Sequence, residues 1–339
     1  AASQYPAQRA NCLIELGLRL HSLGKRVEAV QAFDEAGVQS LPDHALRLYA
    51  TSLMEISDLV RAQALVDSLA EKGPLPDWAL NLATNIALRQ EDTDVAVKHL
   101  SSLVERRNST RGSRVILARL LVECGRLEDA RSHVDVLAHE NALSPIERME
   151  TAMLLHEFGR QADSLKLALR AFRDAHQEPR IHRALVGLVL KCEDLRTLAS
   201  EVGPDTYVQL KSPEGQVRSH VVYATPPIDP LRGEMSLDDA VAAGLLGRKV
   251  GDSVVYDRGS WSEQRWTVEQ VLPAVLHAAQ DAMTGFSQRF PREPFFVRQF
   301  SVGDLKSVRA FAPFIASVHA RKEYLRKVLD LYREHMPPL

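Results

Sequence analysis

The sequence has little of what commits a chain to secretion, membrane insertion or cofactor chemistry. Its three cysteines, Cys12, Cys124 and Cys192, are odd in number, lie far apart and form no CxxC pair. That leaves free thiols in a reducing, cytoplasmic setting. Cys12 and Cys124 fall inside helical patterns, where cysteine is expected as a small buried hydrophobe. No apolar stretch approaches the roughly 20 residues that cross a bilayer, and the first residues do not read as a signal peptide. An excess of one charge is missing too. The 42 Lys and Arg against 44 Asp and Glu leave a net charge of −2, which gives no whole-chain case for nucleic acid or an anionic membrane. Twelve histidines are present, yet none forms HExxH. His133 and His139 stand too far apart to share a helical face, and His176 and His182 flank a proline. Scattered histidines of this kind predict no metal and no cofactor.

What remains is ordinary in bulk and unusual in order. With 45% apolar and 25% charged residues, a packed core can form throughout the 339 residues, enough for two or three units. From Ala10 to Asp43 the chain carries Leu16-Gly17, Leu20, Gly24, Ala29, Phe33, Ala36 and Pro42. Small residues at Gly17 and Ala29 let two antiparallel helices approach closely, Leu20 and Phe33 fill the gap, and Gly24 serves the turn. These spacings are the tetratricopeptide pattern. Further copies begin near Asp43, Asp77, Arg111 and Pro145, at intervals of 33, 34, 34 and 34 residues. Ser144-Pro145-Ile146-Glu147 is a capping box with proline at the first helical position. Repeat two has Asp58 near the expected turn glycine, and repeat three has Thr84 at a small-residue position. Arg180 to Ala199 reads as a further helix that caps the array. Residues 1–200 are therefore expected to form an α-solenoid of five helical hairpins, with a groove that holds a protein partner.

After Gly203 the helical period stops. Thr206–Leu210, Arg218–Tyr223, Ser253–Tyr256 and Gln264–Val268 are short runs rich in β-branched and aromatic residues, separated by turn formers. Ser236–Leu246 is helix-like, opened by Ser236 with Asp238 and Asp239 in its first turn. The order β-β-α-β-β predicts a small antiparallel sheet wrapped on one helix, over residues 204–271.

Within this region Glu234 to Val255, and above all Leu245-Leu246-Gly247-Arg248-Lys249-Val250-Gly251-Asp252, resembles the C-terminal domain of the Gre transcript-cleavage factors. That domain has an FKBP-like fold. The resemblance covers about a fifth of the chain and implies docking on RNA polymerase or an RNA-processing complex. Asp239-Ala240 replaces a serine-proline of that family, and its acidic coiled-coil hairpin is absent, so transcript cleavage is not implied. The order of repeat array, Gre-like segment and helical tail also resembles a bacterial family that ends in a PIN nuclease domain. Leu331 to Leu339 looks like the linker preceding that domain, and no strand–Asp set for a metal precedes it. The chain starts at Ala1 and ends just past Pro337-Pro338, and both ends are expected to be edges of a larger product.

The candidate partner-binding residues are Asp238, Asp239, Arg248, Lys249 and Trp261. Adjacent aspartates on a helix point about 100° apart, so Asp238 and Asp239 suit the helix dipole better than shared acid–base work. Trp266 is expected in the core, and Trp261, in a turn, as an exposed contact. Arg106, Arg107, Arg111, Arg114, Arg119, Arg126 and Arg131 crowd one turn and the helices after it, but acidic neighbours and missing aromatics favour a solvated surface over a phosphate site. Residues 272–339 read as a helix from Leu272 to Phe290, a phenylalanine-rich stretch through Phe314, and a basic amphipathic helix from His319 to Glu334. The last of these is a bridge to a further domain, an oligomer contact, or both. The sequence thus points to a non-catalytic adaptor, docked on polymerase and carrying a nuclease, or to a general scaffold that binds a peptide, a protein or another copy of itself. Prolyl isomerase activity does not follow from a fold alone.

Overall fold

The computed structural model describes residues 4–106, 111–192, 195, 199–256 and 264–293. Eleven helices come first among them: α1 (Gln4–Ser22), α2 (Arg26–Ala36), α3 (Asp43–Glu55), α4 (Leu59–Lys72), α5 (Asp77–Arg89), α6 (Thr93–Val104), α7 (Arg111–Glu123), α8 (Leu127–Ala138), α9 (Pro145–Glu157), α10 (Gln161–Asp174) and α11 (Pro179–Lys191). Each helix packs on the next, and α1 also touches α3, as α3 does α5, α7 does α9 and α9 does α11.

The repeat has a physical basis at three positions. The first is the turn inside each pair, where Gly24, Ser57, Glu91, Gly125 and Gly159 all have φ between 59° and 78°. Their intervals of 33, 34, 34 and 34 residues match those of the sequence. Glycine takes this left-handed conformation freely, whereas Ser57 and Glu91 carry its steric cost. In those two turns the next residue is an aspartate whose carboxylate accepts a helix N–H: Asp58 from Arg61 and Asp92 from Val95. The cap offsets part of the strain.

The second position is the helix crossing. Ala29, Ala62, Ala96, Ala130 and Ser164 recur at the same intervals and are each 0% exposed. The Ser164 hydroxyl, which would otherwise be a buried orphan, donates to the Ala152 carbonyl at 2.6 Å. The third position lies on the facing helix, at Gly17, Ala50, Thr84, Ala118 and Ala152. A Cβ at Gly17 would stand 2.6 Å from the Phe33 ring, so only glycine fits there. Thr84 satisfies its hydroxyl on the Leu80 carbonyl. The capping box at Ser144 and Glu147 forms as expected. Polar ties add to the packing: Trp78 Nε1 donates to Asp43 of the preceding pair at 2.9 Å, and Arg106 closes its own pair on Asp77 at 2.6 Å.

After the helices come β1 (Thr206–Lys211), β2 (Val217–Tyr223), β3 (Glu234–Ser236), α12 (Leu237–Ala242), β4 (Ser253–Tyr256), β5 (Gln264–Pro273) and α13 (Ala274–Arg289). The strands form one sheet of order β3-β2-β1-β5-β4. Its main core holds Val208, Leu210, Val222, Leu245, Val254 and Trp266, with Val202 of the incoming segment among them. On the other face Tyr207 stacks on His277 of α13, with ring centroids 3.8 Å apart.

Five expectations need correction. The sheet is mixed, because β3 runs parallel to β2, Val221 opposite Glu234. The loop through Pro230–Arg232 brings the chain back in the same direction, and Glu234-Met235-Ser236 carries no strand signal of its own. The helix expected to reach Leu246 stops at Ala242, since Gly244 at φ 65° ends it. The capping helix stops at Lys191, short of Ala199. β5 extends five residues past Val268: Glu269 is an extra residue opposite the Gln209–Leu210 step, and this bulge moves the buried positions from Trp266 and Val268 to Val271. Cys12 and Cys124 are exposed, and only Cys192 is buried. Cys12 lies off the stripe marked by Ile14, and Cys124 sits past the end of α7.

The described residues up to Ala282 form one compact unit, and a second begins at Met283, within α13. In that second unit Phe286 and Phe290 meet with ring centroids 4.9 Å apart. Arg107, Trp261 and the stretch expected to hold Phe295, Phe296, Phe300, Phe311, Phe314 and the terminal helix lie outside the described residues.

Candidate functional site

Four of the five candidate partner-binding residues are described, and all four are exposed within one segment around α12. Asp239 completes a capping box. Its carboxylate accepts from the Ser236 hydroxyl at 2.7 Å and amide at 3.2 Å, and these hydrogen bonds hold its pKa below the usual range. Asp238, one residue earlier, makes no side-chain hydrogen bond or ion pair among the described residues. Arg248 donates from Nε to the Gly244 carbonyl at 3.1 Å, while the Lys249 amide donates to Asp252 at 2.9 Å. Val241, Leu246 and Val250 stand exposed beside them. The segment is a mixed apolar and charged surface.

The arginines that crowd the turn before α7 are mostly paired. Arg106 meets Asp77, Arg111 meets Glu140, Arg119 meets Glu123 and Glu150, and Arg126 meets Asp129. Arg131 pairs with Glu128 and lies over the Phe158 ring. Exposed pairs like these add little stability, but they consume the charge a phosphate would need. Among the described residues, no group of three or more His, Cys, Asp or Glu could hold a metal ion, and no helix is long and apolar enough to cross a membrane.

A concave site lies elsewhere, where the last helix pair meets the sheet. A cleft of about 820 Å³ has a floor of Leu155, Leu165, Leu169 and Val275, all buried. One wall is α10, which presents Lys166, Arg170 and Arg173 at helical spacing on one face. The opposite wall is Pro204, Asp205, Ala224 and Thr225.

Arg173 ties the two walls together. Its guanidinium lies 3.6 Å from the centroid of the Tyr223 ring, and its Nη2 donates to the carbonyls of Thr225, at 3.0 Å, and Pro227. Burial pushes the Tyr223 hydroxyl up to about 12, so the ring beneath the cation is neutral. Arg160, also in the lining, is neutralised by Asp135 and Asp163 at 2.6 and 2.7 Å. Lys166 and Arg170 are exposed and have no ion-pair partner among the described residues. The Asp205 side chain likewise makes no hydrogen bond or ion pair among them.

Among the solved structures that resemble this chain in backbone are tetratricopeptide repeat proteins. One from Parabacteroides merdae superposes with a TM-score of 0.47 and 15% identity, over 53% of this chain and 72% of its own. A thermophilic repeat protein of Thermus thermophilus gives 0.40 and 17%, over 53% and 99%. YrrB, described as having an unusual peptide-binding site, gives 0.41 and 13%, over 51% and 89%. No family model and no curated protein matches the chain. The repeat itself rests on the turn and crossing positions above.

Sequence reasoning misses the cleft, although part of a signal exists. Lys166, Arg170 and Arg173 share one side of a helix whose other side is apolar. The facing wall comes from residues about 30 to 60 positions downstream, and only tertiary structure brings it near.

Proposed function

We propose that this chain is a non-catalytic protein-interaction scaffold. In this reading residues 1–200 form a solenoid of five tetratricopeptide hairpins with a capping helix, residues 204–271 a small β domain, and residues 272–339 a connecting segment. The observation that carries the reading is the cleft beside α10, an apolar floor with unpaired cations on its rim and a wall held in place by Arg173. Preformed, mostly apolar concavities with a few placed polar groups are where ligands bind.

A photoreactive residue at Ala162, exposed in the cleft, tests this directly. It is expected to give a discrete cross-linked partner, whereas the same group at Val60, exposed on α4, gives none. Equal labelling at both positions, or none at Ala162, removes the reading.

A narrower reading has its own support. Asp238, Asp239, Arg248 and Lys249 are all exposed on the Gre-like segment, next to exposed Val241, Leu246 and Val250. On this reading that surface docks on RNA polymerase or an RNA-processing complex, with Trp261 as a further contact, and the scaffold delivers a PIN-type nuclease there. Co-purification with RNA polymerase that is lost on changing Asp238, Arg248 and Lys249 supports it, and no recovery sinks it.

A further inference from the structure

We propose that the cleft beside α10 takes an acidic peptide segment of a partner protein, with carboxylates on Lys166 and Arg170 and apolar side chains against the accessible apolar lining around Leu167. The inference rests on the scaffold reading and names its ligand. Charge gives the sign. The chain as a whole is net −2, yet this lining holds four Lys and Arg, namely Arg160, Lys166, Arg170 and Arg173, against Asp163 and Asp205. Arg160 is already matched by two aspartates, and Arg173 is committed to Tyr223 and two carbonyls. Lys166 and Arg170, one helical turn apart on the exposed rim, are left to meet an incoming anion.

The apolar lining decides what kind of anion. A small inorganic ion would leave the accessible Ala138, Ala162, Leu167, Pro204 and Ala224 uncovered, whereas a peptide with apolar and acidic residues uses both. Single-stranded nucleic acid would need several rings to stack on, and among the described residues the lining offers no Phe, Tyr or Trp, only His139, whose Nδ1 is tied to the Asp135 carbonyl. The nearby Tyr223 ring is already covered by Arg173. Because that same contact fixes the wall, the ligand meets a site that needs little ordering, which favours useful affinity from a modest footprint.

The test uses the full chain and fluorescence anisotropy with a labelled peptide of leucine and glutamate. Its twin with glutamine for glutamate, and a labelled single-stranded RNA, are measured beside it. The acidic peptide is expected to bind, and the glutamine twin more weakly by roughly tenfold or more. Lys166→Glu with Arg170→Glu should weaken the acidic peptide by a similar roughly tenfold or greater factor, with the melting temperature nearly unchanged because both side chains are exposed. Ala162→Trp, which fills the cleft from its rim, should block both peptides. Equal binding of the two peptides, indifference to the double charge reversal, or binding of RNA without the acidic peptide would each overturn the proposal. If a partner still cross-links at Ala162 while the acidic peptide fails, the ligand chemistry is wrong and the scaffold stands.

Discussion

The helical array and the sheet bury apolar side chains by opposite means. The array repeats one local solution: a left-handed residue turns the chain, and a small residue one turn into the second helix lets the pair close. The sheet has no such unit. β1 pairs with β5 about 60 residues away, and its core gathers Val202, Leu245, Val254 and Trp266 from distant segments. A defect in the array should therefore stay near its hairpin, as in a chain of nearest-neighbour units, and a defect in the sheet should remove the sheet.

The strongest way to break this contrast is Trp266→Ala. Trp266 is 0% exposed at the centre of the sheet core. Truncation is expected to cost about 3–5 kcal/mol and to melt the β signal in circular dichroism while the helical signal persists. A single transition that loses both signals together would show that the two regions fold as one.

Next in size is Ala130→Leu, which inserts a branched side chain at a fully buried crossing. It should cost about 1–3 kcal/mol through overpacking. Ala62→Leu and Ala96→Leu occupy the same position in other hairpins and should cost the same within error. A neutral melt at any one of them would show that the hairpins are not equivalent.

Smaller still is Glu91→Gly, at a turn with φ 59°. Relief of the left-handed strain exceeds the added chain entropy, so stability should rise by about 0.5–1 kcal/mol in chemical denaturation. A loss would mean that the side chain matters more than the turn.

The last effect is on pH. Burial against Tyr207 lowers the His277 pKa from its ordinary 6.5, with Asp281 pulling the other way. The folded chain therefore refuses a proton that the unfolded chain accepts, so stability should fall as pH drops below about 6.5. His277→Phe keeps the ring stack and should lessen that fall, leaving the share of His21, His99, His133 and His220, whose pKa values burial also lowers. An unchanged pH profile would mean that this imidazole does not contribute.

The contrast also explains how much can be read in advance. Gly17, Gly24, Ala29 and the Ser144 capping box announce the array because their roles depend on neighbours within one hairpin. Ser57 and Glu91 are harder to see, since the sequence shows a missing glycine with Asp58 near it but not that Asp58 and Asp92 cap the helices that follow. In the sheet, Trp266 is legible as core, and the runs at Thr206, Arg218, Ser253 and Gln264 as strands. β3 is not, because its pairing with β2 is the only reason for its conformation. Nor is the register of β5, where the alternation breaks at Glu269 and reads as the strand's end. The cleft needs both regions: the stripe on α10 is visible as a charged face, but nothing near it in the chain says what stands opposite.

The contact of Arg173 with Tyr223, Thr225 and Pro227 has a consequence for how this protein can change over time. One side chain of the final hairpin clasps the adjoining loop, so the recess and both of its flanks are inherited as a single cassette. Hairpins farther toward the N-terminus can then be gained, lost or swapped without altering that recess.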